Sequence, residues 1–197
     1  KTSKFKLLKS GHFGLAPDPT KPALGWDAAC IRICTWGYFQ DKQTKFRFWY
    51  FNLHMDHIGV TARRESAKLV ISKIKSICGK DPVILSGDFN VDQHNEIYSI
   101  LSNSGILKDS YSNAEHRFAE TGTFNNFQSN TKTDSRIDHI FVSPSFTVER
   151  YGILTDCYWT LEPKSTTSST GIDENNSVYV RRTPSDHYPV FVQITVR

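Results

Sequence analysis

Four short stretches of this chain stop or start an apolar run at a cluster of Asp, Asn or His: "NLHMDH" (52–57), "SGDFN" (86–90), "RIDHIF" (136–141) and "SDHYPV" (185–190). If these ends converge, one pocket holds the imidazoles of His54 and His187, the carboxylates of Asp88, Asp138 and Asp186, and the amide of Asn90. Such a set suits cleavage of a phosphate ester. That reaction needs an activated water, neutralisation of the phosphoryl oxygens, and a proton or metal at the leaving oxygen. Imidazole can bind or donate to phosphate, carboxylate can orient water or hold a hard cation, and Asn can donate a neutral hydrogen bond.

Taken singly, each stretch has a plainer reading. A His at a strand end is commonly a surface residue, and "GDFN" alone could be a turn with Gly and Asp in their usual roles. Asp138 is harder to dismiss, because a carboxylate inside an apolar strand needs a partner. Accepting from one ring nitrogen of His187 would give it one, fix the ring tautomer and favour an imidazolium able to bind a phosphate oxygen. The competing reading is a buried Asp–His pair that merely closes the sheet.

The elements that must position these groups follow from periodicity. "IRICTWGYF" and "KFRFWYFNLHM", separated by polar "QDKQT", are predicted to be paired strands, with His54 at the end of the second. "TARRESAKLVISKIKSIC" has helical spacing at Ala67, Val70, Ile71, Ile74 and Ile77, with Gly79 placed to stop it. "PVILSGDFN" is predicted as a short strand, "NEIYSILSNSGI" as a helix with Gly105 near its end, and "RIDHIFVS" and "YPVFVQITV" as strands. The Ser/Thr/Asn-rich run at 163–177 is predicted as an exposed loop bordering the pocket. This order gives an α/β domain whose sheet carries helices on one face.

Composition bounds the rest. The 197 residues, 38% hydrophobic and 13% aromatic, contain no repeat or linker and read as one domain spanning 1–197. No apolar run approaches the roughly 20 residues that cross a bilayer. A net charge of +4 suits an anionic substrate but falls short of a polybasic nucleic-acid arm, which favours a small substrate over a groove for several phosphates. Cys30, Cys34, Cys78 and Cys157 match no disulfide or zinc pattern and read as free thiols; Cys30 and Cys34 are expected on one face of a strand. The compartment, cytoplasmic or exported, stays open.

The ordered set of stretches resembles the endonuclease/exonuclease/phosphatase superfamily, over nearly the whole chain. "GWDAAC", "RICTW" and "NLHMDHIGVTARRESA" further resemble a mostly bacterial subgroup of undefined substrate. The resemblance implies a four-layer α/β/β/α sandwich of two packed mixed sheets and a Mg²⁺-dependent phosphoesterase, with Mn²⁺ as an alternative ion. It cleaves a phosphodiester or phosphomonoester by direct attack of water. It implies that His54 contacts the scissile phosphate or protonates the leaving group, and that Asp88 orients or activates the water. Asn90 then holds a phosphate oxygen or, with Asp88 and Asp186, a metal, while His187 is the second imidazole with Asp138 as its partner. The implied partner is a phosphorylated small molecule, a lipid headgroup or a nucleic acid; a nuclease and a non-catalytic phosphate-binding remnant are the competing readings.

One part of the superfamily pattern is missing. Its first strand supplies an Asn and the next segment a Glu that is the principal Mg²⁺ ligand, whereas no Glu precedes Glu65, which falls in the predicted helix. The expectation is a family domain without its N-terminal strands, weak in metal binding, with an open sheet edge and an apolar face completed by nothing or by a second chain.

Overall fold

Alternation of side chains along the strands decides which residues reach the pocket. The computed structural model describes residues 2–118, 121–130, 132–163 and 177–197. In it β1 (Phe5–Gly14), β2 (Ile33–Asp41) and β3 (Arg47–His54) form an antiparallel meander. Along β3, Trp49, Phe51 and Leu53 are buried on one face, which leaves Tyr50, Asn52 and His54 on the other. A one-residue slip would send His54 into the core.

Helix α1 (Val60–Cys78) then carries the chain to β4 (Val83–Asp88), which pairs parallel with β3. The helix buries Ala67, Val70, Ile71, Ile74 and Cys78 on one stripe. It stops at Gly79, whose φ of 59° lies in the left-handed region. Helix α2 (Glu96–Ser102) starts at Asn95, whose side chain accepts from the Ile97 amide. The rest comprises β5 (Lys108–Asp109), α3 (Ser110–Asn113), β6 (Ala114–Phe118), β7 (Asp138–Val142), β8 (Phe146–Ile153), β9 (Tyr158–Pro163), β10 (Ser177–Arg182) and β11 (Val190–Val196).

Two mixed sheets result: a six-stranded one in the order β1-β2-β3-β4-β7-β5, and a three-stranded one in the order β11-β8-β6. A β9–β10 hairpin stands apart from both. The main core lies between the six-stranded sheet and helices α1 and α2. On the sheet's other face Phe46, Phe48, Ile84 and Ile140 meet Phe146, Val148 and Ile194 of the smaller sheet. The described residues thus supply helix, sheet and sheet layers of the sandwich. An open cleft of about 530 Å³ between the sheets is lined by Phe5, Phe39, Phe46, Phe48, Phe146 and Ile194.

Several elements differ from the sequence reading. β2 begins at Ile33, so Cys30 lies in the preceding loop and not on a strand face with Cys34. All four cysteines are free, and burial pushes the Cys34 and Cys78 thiols up to about 12, which removes them from thiolate chemistry. Helix α2 ends at Ser102, short of Gly105. Of the expected loop at 163–177, positions 164–176 lie outside the described residues.

The loop of "GWDAAC" is locked to the start of α1 by two carboxylates. Asp56 is buried and accepts from the backbone amides of Ala29 and Cys30 through Oδ2 and of Ile58 and Gly59 through Oδ1. Asp27 accepts from Thr61 and Ala62 in the first turn of the helix. Burial opposes the charge on Asp56, but its four amide donors outweigh that and hold its carboxyl well below the usual carboxylate range. A depressed carboxyl pKa contributes stability above the unfolded value that is lost as pH falls through the folded one. Asp56→Asn is therefore expected to lower stability at pH 7 by about 2–4 kcal/mol and to flatten the loss of stability below about pH 4. Denaturant melts across that range check this; an unchanged acid limb would contradict it.

Candidate active site

Strand register places the chemical groups abreast. His54 stands opposite Asp88 across the parallel β3–β4 pair, and Asp88 stands opposite Asp138 across the antiparallel β4–β7 pair. Gly87 permits the close approach: its φ is +149°, and a Cβ there would sit 2.0 Å from the Leu53 carbonyl oxygen. Beyond β4, Asn90 adopts a φ of 50°, gives its backbone amide to Asp88 Oδ1 at 2.8 Å, and donates through Nδ2 to the Met55 carbonyl at 3.0 Å. Asn90 thereby ties the ends of β3 and β4 together.

His187 arrives from a distant segment. Tyr188 gives its amide to the Thr123 carbonyl, and Thr123 Oγ1 accepts the amides of Ile137 and Asp138, so the segment before β11 is stitched to the start of β7. The ring of Phe124 packs edge-on against that of His187. In the result His187 Nδ1 lies 2.7 Å from Asp138 Oδ2, and its Nε2 lies 3.9 Å from Asp88 Oδ2. His54 Nε2 lies 3.2 Å from the same Asp88 oxygen. One carboxylate is shared by two imidazoles, one of which is oriented by a second carboxylate.

The two imidazoles titrate in opposite directions. Burial depresses His187, but its hydrogen bond with Asp138 and the charges of Asp138, Asp88 and Asp186 outweigh this and raise it above the ordinary imidazole value. For His54 burial wins: with Arg32 and His187 adding to it, the attraction of Asp88 and Asp138 does not restore the ring, and its pKa is lowered. Burial also raises Asp88, helped by Asp138 and opposed by the Asn90 amide and the two imidazoles. His187 is thus the more readily protonated imidazole and His54 the less, with a carboxylate of increased basicity between them.

Ligand atoms of Asp88, Asp138 and His187 all lie within 4.8 Å of one another, a group able to converge on one ion. Facing carboxylates fit a hard divalent cation, with Asp88 the freer ligand because Asp138 is engaged by His187. Asp186 stands outside this group: its carbonyl accepts from the amides of Asn125 and Asn126, and its Oδ1 accepts from Ser185 Oγ. Its charge acts on His187 instead. Asn90 is engaged through Nδ2 by the Met55 carbonyl.

A cleft of about 530 Å³ opens on these groups, walled also by Tyr50, Asn52, Ser86 and Ser185. Tyr50 Oη and Ser86 Oγ lie 2.7 Å apart, and Asn52 Nδ2 donates to Ser86 Oγ at 3.0 Å. The sequence reading did not single these residues out, although the alternation that exposes His54 exposes Tyr50 and Asn52 with it. In a second cluster, ligand atoms of Cys30, Asp56 and His57 also lie within 4.8 Å of one another. The Asp56 carboxylate there already accepts four backbone amides, which leaves it poorly placed to bind an ion.

Two packed mixed sheets carry imidazoles and carboxylates gathered at their strand ends, a set of groups able to act on a phosphate ester. The chain belongs to the Endonuclease/Exonuclease/phosphatase family, whose model matches residues 13–187. It is 49% identical to an endonuclease/exonuclease/phosphatase family protein from Bacteroides thetaiotaomicron, with a TM-score of 0.89 over 98% of this chain and 67% of that one. A mannosyl-6-phosphatase from the same organism is also 49% identical, with a TM-score of 0.87 over 99% of this chain and 68% of that one. An uncharacterized protein of Acanthamoeba polyphaga mimivirus, L388, is 30% identical over 147 residues. This chain spans 54% of that relative's length, and the aligned part is 69% of this chain.

The electrostatic arrangement makes a direct prediction. Replacing Asp138 by Asn removes a charge but keeps a hydrogen-bonding group, so the His187 titration midpoint should fall to the ordinary imidazole value or below. Resonances of the ring, followed against pH in metal-free protein, measure it. A midpoint unmoved by the substitution would show that Asp138 does not sustain the charge on His187.

Proposed function

We propose that this chain carries the catalytic centre of a Mg²⁺-dependent phosphatase that acts on a phosphorylated sugar. The observation that carries the reading is the sharing of Asp88 between two imidazoles of opposite titration direction. Asp88, made more basic by burial, takes a proton from the attacking water. The water oxygen bonds to phosphorus as the bond from phosphorus to the sugar oxygen breaks. Charged His187 lies against the phosphoryl oxygens and gives its Nε2 proton to the departing hydroxyl, while Asp138 holds the opposite side of the ring. His54, neutral and at the mouth of the cleft, donates a ring N–H to Asp88 or to a phosphoryl oxygen. A bound Mg²⁺, or Mn²⁺ in its place, would lie against Asp88 and supply Lewis-acid stabilisation of the phosphoryl charge.

Two observations support a sugar. One is the mannosyl-6-phosphatase at 49% identity. The other is the β9–β10 hairpin, whose register puts Trp159, Leu161 and Tyr179 on one exposed face. That hairpin ends at Arg182, three residues before Ser185 in the cleft wall, and its exposed rings offer a face on which a sugar could stack. As part of the same proposal, strands from beyond this sequence, or a second chain, cover the apolar cleft between the sheets and add a carboxylate to the metal site.

Purified chain should release phosphate from mannose 6-phosphate in Mg²⁺, and EDTA should abolish the release. Asp88→Asn and His187→Ala should each lower the rate by about 10²–10⁴-fold. Bis-p-nitrophenyl phosphate and a single-stranded oligonucleotide serve as comparison substrates. Faster cleavage of the oligonucleotide would replace the sugar phosphatase by a nuclease. Release that survives Asp88→Asn would remove Asp88 from its role, and no turnover of any substrate would support the phosphate-binding remnant.

A further inference from the structure

Arg32 lies just before β2, at the flank of the site opposite to His187. Cys34 pairs with Leu53, so the register continued by one residue sets Ile33 level with His54, and Arg32 next beyond the strand end. One terminal nitrogen of the Arg32 guanidinium, Nη2, lies 3.4 Å from Nδ1 of His57. Among the described residues its buried Nε has no hydrogen-bond partner.

Four other arginines have acceptors for part of the guanidinium, although among the described residues Nε of Arg63 is unpaired too. Arg63 donates to the Asp56 carbonyl at 2.8 Å, Arg64 pairs with Glu96, Arg136 with Asp109, and Arg182 with Glu162. Arg32 forms no ion pair among the described residues. What fixes its position is the backbone, since its carbonyl accepts from the Leu15 amide. The adjacent loop is pinned by Asp56, whose carboxylate is saturated by four amides and offers the guanidinium no open lone pair. The start of α1 is closed to an anion as well, because Asp27 already occupies the amides of Thr61 and Ala62. A guanidinium presents five N–H donors in a fork that matches the oxygens of phosphate, and leaving a buried donor without an acceptor is costly. A purely structural role would need a carboxylate or carbonyl on that fork, whereas among the described residues the side chain within hydrogen-bond reach of it is that of His57.

We propose that Arg32, steadied by His57, is an anion-binding arm of the site that grips the non-bridging oxygens of a phosphate held on its other flank by His187. This rests on the phosphatase reading above. It extends that site by one binding residue on the β2 side of His54, and it gives the "GWDAAC" loop a purpose: Asp27 and Asp56 fix the backbone that delivers the guanidinium.

The test is calorimetric titration of inorganic phosphate into the full chain, in Mg²⁺ at low salt. Arg32→Met keeps much of the side-chain length without charge, and should weaken phosphate binding by about tenfold to a hundredfold. Arg32→Lys should recover part of the loss, because it restores the charge but not the fork. Unfolding midpoints equal to the parent's would confirm that both variants fold. If His187→Ala loses phosphate while Arg32→Met binds within twofold of the parent, the arm is overturned and the site reading stands. If the folded parent binds no phosphate at all, the site reading falls and the arm falls with it.

Discussion

Two carboxylates, Asp88 and Asp138, face each other across β4 and β7 in a partly buried cleft, and the organisation of the site answers that repulsion. Like charges in such a pair cannot both ionise without compensation. Here the compensation is distributed: His187 is bound to Asp138 at 2.7 Å, His54 approaches Asp88 at 3.2 Å, and the Asn90 amide donates to Asp88. The cost of burying charge is thus converted into a split between the imidazoles, one raised and the other lowered in pKa. A phosphate ester with its cation fits this arrangement because each brings the sign that one flank lacks.

That juxtaposition depends on backbone devices that lie outside the chemistry. Gly87 lets β4 approach the Leu53 carbonyl where no Cβ would fit, which brings Asp88 level with His54. Thr123 holds the segment bearing His187 against β7. Asp56 and Asp27 clamp the loop before β2 to helix α1. Burial of Phe51, Leu53, Leu85 and Phe141 behind the site fixes the register of the three strands whose ends form it. Core packing and local hydrogen bonding therefore select one alignment of these imidazoles and carboxylates.

Much of this was legible in the sequence where the signal was periodic. Helix α1 with its Gly79 stop, the β2–β3 pair, and strands β4, β7 and β11 all follow from side-chain spacing. The pairing of Asp138 with His187 follows from the need of a carboxylate within an apolar strand for a partner. Strand β8 went unread because "FTVERYGI" interrupts its apolar positions with Thr, Glu and Arg on an exposed or half-exposed face. Tyr50, Asn52 and Ser86 were missed because their types are common in sheets, and only the register turns them toward the cleft. The sequence reading gave the adjacent pair different jobs, Asp186 at the metal and His187 at the phosphate; in the structure Asp186 Oδ1 accepts from Ser185 Oγ and the residue stands outside the Asp88–Asp138–His187 group. Asp56 shows the converse limit: within "HMDH" it looks like a ligand, and only its four amide donors mark it as a structural brace.

The central claim is that a phosphoryl group is bound between the two imidazoles, over Asp88. Crystals of the chain soaked in tungstate, a tetrahedral phosphate mimic visible by anomalous scattering, test it most directly. The account predicts a principal anomalous peak within hydrogen-bonding distance of His187 Nε2, on the side of the cleft that faces His54. A peak confined to surface lysines and arginines, with nothing between His54 and His187, would contradict it.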